Sequence, residues 1–153
     1  MKINYIIIPL LTLVTAVLGS IFTSQGMIWY KTLDLPNFTP SGSVIGLVWT
    51  VIFTLAAISA LLVWNQKTNN RHWLILVFFL FNAALNILWS YLFFEKHLIN
   101  LAIWEAWLLE VSVLVLVFLT WPISKVASAL LWPYAIWVMF ATYLTYSVWL
   151  LNR

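Results

Sequence analysis

Four long stretches of the chain, each predominantly apolar, contain no charged residue, and a fifth contains only two. A helix needs about 20 residues to cross a hydrocarbon core of about 30 Å, and each stretch comes close to or exceeds that length. Helices are expected because lipid offers no hydrogen bonds to exposed backbone groups. The sequence therefore predicts an all-α integral membrane protein with five transmembrane helices, at about residues 5–22, 43–64, 73–94, 98–121 and 126–151.

Composition supports this prediction and excludes several other classes. Only 7% of the residues are charged, against roughly 25% in soluble domains. The formal net charge of +3 is too small and too scattered for a nucleic-acid-binding surface. The chain has no cysteine, which removes disulfides, thiol chemistry and most zinc sites. His72 and His97 are expected beside opposite helix ends, so no metal site is predicted.

Among the predicted connections only residues 23–42 form a long one. Long loops in compact domains are usually functional or disordered, and the aromatic residues here argue against disorder. Pro36 and Pro40 stiffen the approach to the second helix. The hydroxyls of Ser41 and Ser43 are available to cap it. We therefore predict a structured loop rather than a disordered one.

Two carboxylates, Glu105 and Glu110, fall inside the fourth stretch. Five positions separate them by about 140° around a helix, so they do not form a catalytic pair on one face. Charged side chains within a membrane segment are costly and commonly functional. Ligand contact is one interpretation for Glu105; the alternative places it near the interface, with Glu110 hydrogen-bonded to a neighbouring helix.

The third and fifth stretches carry further candidates. Asn82, Asn86 and Ser90 recur every four residues and make one polar stripe. This stripe indicates either interhelical hydrogen bonding or the polar edge of a cavity. In the fifth stretch Trp137 and Ala141 share a face, where a small residue beside an indole leaves room for a helix or for a ligand.

Four sequence blocks in order carry a resemblance to a known family. They are "WYKTLDLPNFTPSG" (29–42), "GLVWTVIF" (46–53), "FNAALNILWSYLFF" (81–94) and "WPYAIWVMFATYL" (132–144). Together with 11 tryptophans, these blocks resemble the TspO/MBR family of tryptophan-rich sensory proteins and the translocator protein, or peripheral benzodiazepine receptor. Ser41 and Thr145 depart from the family pattern. The family's cholesterol-recognition pattern is also incomplete after Tyr146, so no sterol site is predicted.

The resemblance implies one domain over residues 1–153, with the first loop as a lid over a ligand cavity in the bundle. It also implies which residues line that cavity. Carried over position by position, they are Tyr30, Pro40, Trp49, Phe53, Asn82, Asn86, Trp89, Glu105, Leu109, Trp137 and Ala141.

The function implied by the resemblance is a membrane receptor or sensor for tetrapyrroles such as protoporphyrin IX or haem, and for other flat apolar ligands. No cofactor is required. One alternative is light- and oxygen-dependent degradation of porphyrin with Trp49 and Trp137 as the catalytic residues. Another is transport of a porphyrin or sterol. The resemblance further implies a homodimer, and we favour a bacterial cell membrane as its location.

Overall fold

The structure, a computed structural model, describes residues 3–66 and 71–153 of the chain, with the side chain of Arg71 excluded. Residues 67–70, in the predicted connection 65–72, lie outside the described part. Six α-helices are found in it: α1 Asn4–Tyr30, α2 Gly42–Asn65, α3 Arg71–Ser90, α4 Ile99–Thr120, α5 Lys125–Ala129 and α6 Trp132–Leu151. A wider helical turn, Tyr91–Glu95, continues α3. Five spans are long and apolar enough to cross a membrane, which confirms the predicted fold class.

The helices form a closed bundle in the order α1, α2, α5–α6, α4, α3. α4 lies most deeply, with half of its span buried between α3 and α6, whereas α1 is largely exposed. Short connections make chain neighbours antiparallel. The 31–41 loop, residues 96–98 and the end of α6 consequently lie at one end of the bundle, called here the loop end.

α1 is longer than predicted, and the loop is correspondingly shorter. The helix runs on to Tyr30, so the predicted loop 23–42 was wrong for residues 23–30 and is reduced to residues 31–41. Gly26 has the backbone carbonyl of Phe94 where a side chain would begin. Trp29 and Tyr30 pack on the ring of Phe93 in the same region. This close packing against the continuation of α3 favours helix where the sequence alone indicated a loop.

The fifth span is divided into α5 and α6. Pro133, at the beginning of α6, has no N–H to continue the helical pattern. The carbonyl of Ala127, which an unbroken helix would bond to the N–H of Leu131, accepts a hydrogen bond of 2.8 Å from the Ser59 hydroxyl. The Leu131 N–H instead bonds to the carbonyl of Ser128 at 3.0 Å. The break thus attaches α5 to α2, away from the loop end.

Candidate functional site

The 31–41 loop is fastened to the end of α6. The Asn152 side chain accepts a hydrogen bond from the Asp34 backbone N–H and donates one to its carbonyl, both at 2.9 Å. Phe38 stacks on Tyr143 with ring centroids 5.5 Å apart and meets Phe140 edge-on. The loop therefore lies across the half of α6 that is nearest the loop end.

The junction between the loop and α2 is capped as the sequence predicts. The Ser41 hydroxyl accepts a hydrogen bond of 3.4 Å from the Val44 N–H and is also 3.0 Å from the Ser43 hydroxyl. Such a cap satisfies one of the backbone donors left free at a helix beginning. Pro40, directly before the cap, is half-buried. The loop is thus fixed at both ends.

Beneath this loop the two candidate catalytic residues pack against the same buried cluster. Trp49 on α2 and Trp137 on α6 are both half-buried. The cluster between them consists of Ile52, Leu85, Leu109, Val113, Tyr134, Ala135 and Val138. α2 and α6 meet directly at few positions, so this shared cluster is the main connection between the two tryptophans.

The rings around the two tryptophans connect them to their surroundings. The centroid of the Trp49 ring lies 5.5 Å from that of Phe53 and 6.1 Å from that of Tyr134, to which it is nearly perpendicular. Trp137 contacts Phe140 at 5.3 Å, which in turn meets Phe38 of the loop. The buried Trp137 Nε1–H has no acceptor among the described residues. Aromatic contacts thus run without interruption from the loop to Trp137.

The predicted polar stripe is engaged in hydrogen bonds between helices. The Tyr134 hydroxyl accepts a bond of 2.6 Å from Asn86 Nδ2 and donates one of 2.9 Å to Asn82 Oδ1. Asn82 Nδ2 also donates to the Ser112 hydroxyl at 2.8 Å. The side chains of both asparagines are therefore engaged in joining α3 to α4 and α6. Tyr134 was not among the predicted site residues; its signal was its position one turn before Trp137.

Both intramembrane carboxyl groups are buried. Glu105 is 6% exposed and Glu110 is 2% exposed, and no oxygen of either carboxyl has a hydrogen-bond partner in the described part of the chain. The predicted alternative of an interhelical hydrogen bond to Glu110 was therefore wrong. α4 buries residues on several faces, which explains how carboxyls about 140° apart are both inside. Leu109, one turn after Glu105, belongs to the cluster beneath the tryptophans.

Two predicted residues lie in a separate aromatic cluster nearer the loop end. Trp89 stacks on Phe93 with ring centroids 5.1 Å apart. The centroid of the Tyr30 ring lies 6.2 Å from that of Phe93 and 5.7 Å from that of Phe94. Trp49, Leu109 and Trp137 thus form one group with the asparagines beside it, and Tyr30 and Trp89 form another. Ala141 is half-buried one turn beyond Trp137 on α6.

A cavity of about 310 Å³ lies between α1, α2 and α3, away from the loop. Of the predicted ligand residues only Phe53 and Asn82 line it, together with Tyr134. This cavity was not predicted from the sequence. It adjoins the tryptophan region through the rings of Phe53 and Tyr134.

Comparison with known proteins decides the family of this chain. A model of the TspO/MBR family matches residues 6–150. The chain belongs to the TspO/MBR family. It is 33% identical to the Tryptophan-rich protein TspO of Bacillus cereus, over 99% of each chain. It is 34% identical to the uncharacterized membrane protein YtaB of Bacillus subtilis, over 78% of this chain and 77% of that one.

The similarity to TspO/MBR proteins extends beyond bacteria. The human Translocator protein is 28% identical over 86% of this chain and 79% of its own length. Family membership and five apolar helices together make the chain a multi-pass integral membrane protein in a lipid bilayer, and the Bacillus relatives fit a bacterial membrane. The family and the named relatives also support the prediction that the protein is a membrane receptor or sensor.

Proposed function

We propose that the protein is a membrane receptor or sensor that binds a tetrapyrrole such as protoporphyrin IX between α2 and α6, beneath the 31–41 loop. The observation that carries the proposal is the arrangement of Trp49 and Trp137 against one core, with a buried Trp137 N–H that has no acceptor among the described residues. A buried donor without a partner costs about 1–3 kcal/mol. A ligand acceptor at this place would recover that cost.

The chemistry of the surroundings suits a flat, apolar and anionic ligand. Indole faces pack well against planar rings, and both tryptophans keep part of their surface accessible. Lys31, exposed at the beginning of the loop, is a cation available to pair with a ligand carboxylate. The fastening of the loop by Asn152 reduces the entropy lost when it closes over a ligand.

The other residues predicted to bind the ligand have different roles in the proposed site. In this proposal Leu109, Ala141 and Pro40 contribute to the wall of the site between α2, α4, α6 and the loop. Glu105, one turn from Leu109 on α4, offers a carboxyl with unused hydrogen-bonding capacity. Asn82 and Asn86 act through Tyr134, which holds the wall behind Trp49. Tyr30 and Trp89 close the loop end, and the homodimer stays a further proposal.

Quenching of tryptophan fluorescence tests this function. Detergent-purified protein is titrated with protoporphyrin IX in darkness, with a red-absorbing linear tetrapyrrole and a sterol in parallel. Saturable quenching at one equivalent per chain is the expected result for the cyclic tetrapyrrole. Quenching that rises linearly without saturation would contradict the proposed receptor, since it would reflect only partition into the micelle.

A second candidate function is light-dependent degradation of the bound porphyrin, with dioxygen as the oxidant. It is favoured by the position of two oxidisable indoles, Trp49 and Trp137, on the same core. Illumination of the aerobic complex should then bleach the porphyrin. Trp49→Phe and Trp137→Phe should each abolish bleaching while dark binding is nearly preserved. Equal bleaching by both variants and the wild type would eliminate this candidate.

A further inference from the structure

We propose that the cavity between α1, α2 and α3 is a binding site for an acyl chain of a membrane lipid. The cavity lies in the part of the bundle away from the loop, between residues near the beginning of α1 and the first half of α3. It adjoins the tetrapyrrole region between α2 and α6 through Phe53 and Tyr134 but lies on the other side of those rings from Trp137. The inference does not depend on the proposed function of that region.

Small side chains on α2 leave this space unfilled. Ala56, Ala57 and Ala60 of α2 all line the cavity. At the loop end α1 approaches α3 closely through Gly19, beside Ser90, and Gly26, beside Phe94. At the cavity α1 has no glycine that would allow an equally close approach to α3. The short alanine side chains of α2 do not fill the gap that remains. The cavity is thus built by the sequence of the two helices.

The cavity opens sideways toward lipid. Among its lining residues, Leu11 on α1 and Val77 and Leu80 on α3 are exposed at the surface of the bundle, with exposed fractions of 41%, 59% and 50%. These positions belong to membrane-spanning helices. The medium that reaches the mouth between α1 and α3 is therefore the hydrocarbon of the bilayer.

The hydroxyl and amide groups in the wall already have partners. The hydroxyls of Thr12 and Thr15 donate to backbone carbonyls of α1 at 2.9 Å. Tyr134 and Asn82, at the inner end, are hydrogen-bonded to each other at 2.9 Å. The cavity consequently offers a ligand no free hydroxyl or amide group among the described residues. An occupant without polar atoms matches it, whereas water, which needs two to four polar partners, does not.

The volume of the cavity suits a lipid acyl chain and is too small for a helix. The volume of about 310 Å³ is many times the roughly 10–15 Å³ that one water molecule requires. A segment of an acyl chain fits this space. A helix of a second copy, about 10 Å wide with its side chains, cannot enter and could only cover the rim. An empty cavity would forfeit dispersion contacts along its whole wall.

The test uses the full chain in phosphatidylcholine vesicles that contain a small fraction of phosphatidylcholine with a diazirine on one acyl chain. After irradiation, the labelled peptides are identified by mass spectrometry. Ala83 on α3 lines the cavity, whereas its neighbour Ala84 is exposed and is not part of the wall. Ala83→Phe fills the cavity, and Ala84→Phe adds the same side chain outside it as a matched control.

We expect labelling of the wild type to be concentrated in the peptides that line the cavity, well above the exposed face of α6 around Ile136. Ala83→Phe should reduce the cavity label several-fold, and Ala84→Phe should leave it unchanged. Ala57→Leu, from the opposite wall, serves if Ala83→Phe does not fold by circular dichroism. Labelling of the cavity no stronger than that of the Ile136 face, or an equal effect of cavity and control variants, would overturn the proposal. Neither result affects dark binding of protoporphyrin IX, so the two proposals can fail separately.

Discussion

Asn82 and Tyr134 are 52 positions apart in the chain and are joined by a hydrogen bond of 2.9 Å between α3 and α6. The same hydroxyl accepts from Asn86 at 2.6 Å. One tyrosine therefore satisfies two buried amides and also forms part of the wall behind Trp49. The pairing fixes the position of α3 relative to α6, the helix that carries Trp137.

Removal of this hydroxyl should destabilise the bundle. In Tyr134→Phe, Asn82 loses a donor and Asn86 loses an acceptor, and a buried unpaired polar group costs about 1–3 kcal/mol. We expect the thermal unfolding temperature in detergent to fall by several degrees. Tyr146→Phe, at an exposed position of α6, is the control and should unfold as the wild type does. An unchanged unfolding temperature for Tyr134→Phe would show that the network does not hold the helices together.

The two glycines of α1 that face α3 should respond differently to alanine. A Cβ at Gly26 would collide with the backbone carbonyl of Phe94, whereas a Cβ at Gly19 would lie 3.5 Å from the Ser90 hydroxyl, an ordinary contact. We expect Gly26→Ala to lower the unfolding temperature strongly, because backbone must move.

Gly19→Ala provides the matched comparison in the same helix. It should be neutral or slightly stabilising, since alanine is favoured over glycine in a helix by about 1 kcal/mol. Thermal unfolding monitored by circular dichroism compares both variants. Equal effects of the two substitutions would contradict the close approach of α1 to the end of α3.

Asn152 should control how tightly the loop is held. Its side chain is the partner of both the backbone N–H and the carbonyl of Asp34. Asn152→Ala removes both bonds, so the Asp34 amide should exchange its hydrogen with deuterium much faster, and bound ligand should dissociate faster. Asn152→Asp keeps the acceptor for the N–H and should give an intermediate exchange rate. Exchange as slow in Asn152→Ala as in the wild type would mean that Phe38 and its ring contacts alone fasten the loop.

The sequence was sufficient to predict the five spans because long uncharged stretches have few alternatives in lipid. The cap at Ser41 was also predictable from local chemistry, and it is present. The extension of α1 to Tyr30 was not predictable in the same way. Gly26 resembles a helix breaker in sequence, and only its contact with Phe94 shows that it serves a close approach instead.

Predictability of the candidate site was limited for a similar reason. The four-residue spacing of Asn82 and Asn86 indicated an inward polar stripe, but spacing cannot identify a partner 52 positions away. The resemblance supplied Trp49 and Trp137, which share one core in the structure. The cavity between α1, α2 and α3 depends on which small side chains face neighbouring helices. No pattern within a single helix contains that information.

The most direct test of the central claim is whether space beside Trp137 is needed for protoporphyrin IX to bind. Ala141, one turn beyond Trp137, lies half-buried in the proposed site, whereas Met139 on the same helix is exposed. The dissociation constant is measured in darkness for the wild type, Ala141→Phe and Met139→Phe. The account predicts an affinity at least about tenfold weaker for Ala141→Phe, equivalent to about 1.4 kcal/mol, and an unchanged affinity for Met139→Phe. Wild-type affinity in a folded Ala141→Phe protein would contradict a tetrapyrrole site between α2 and α6.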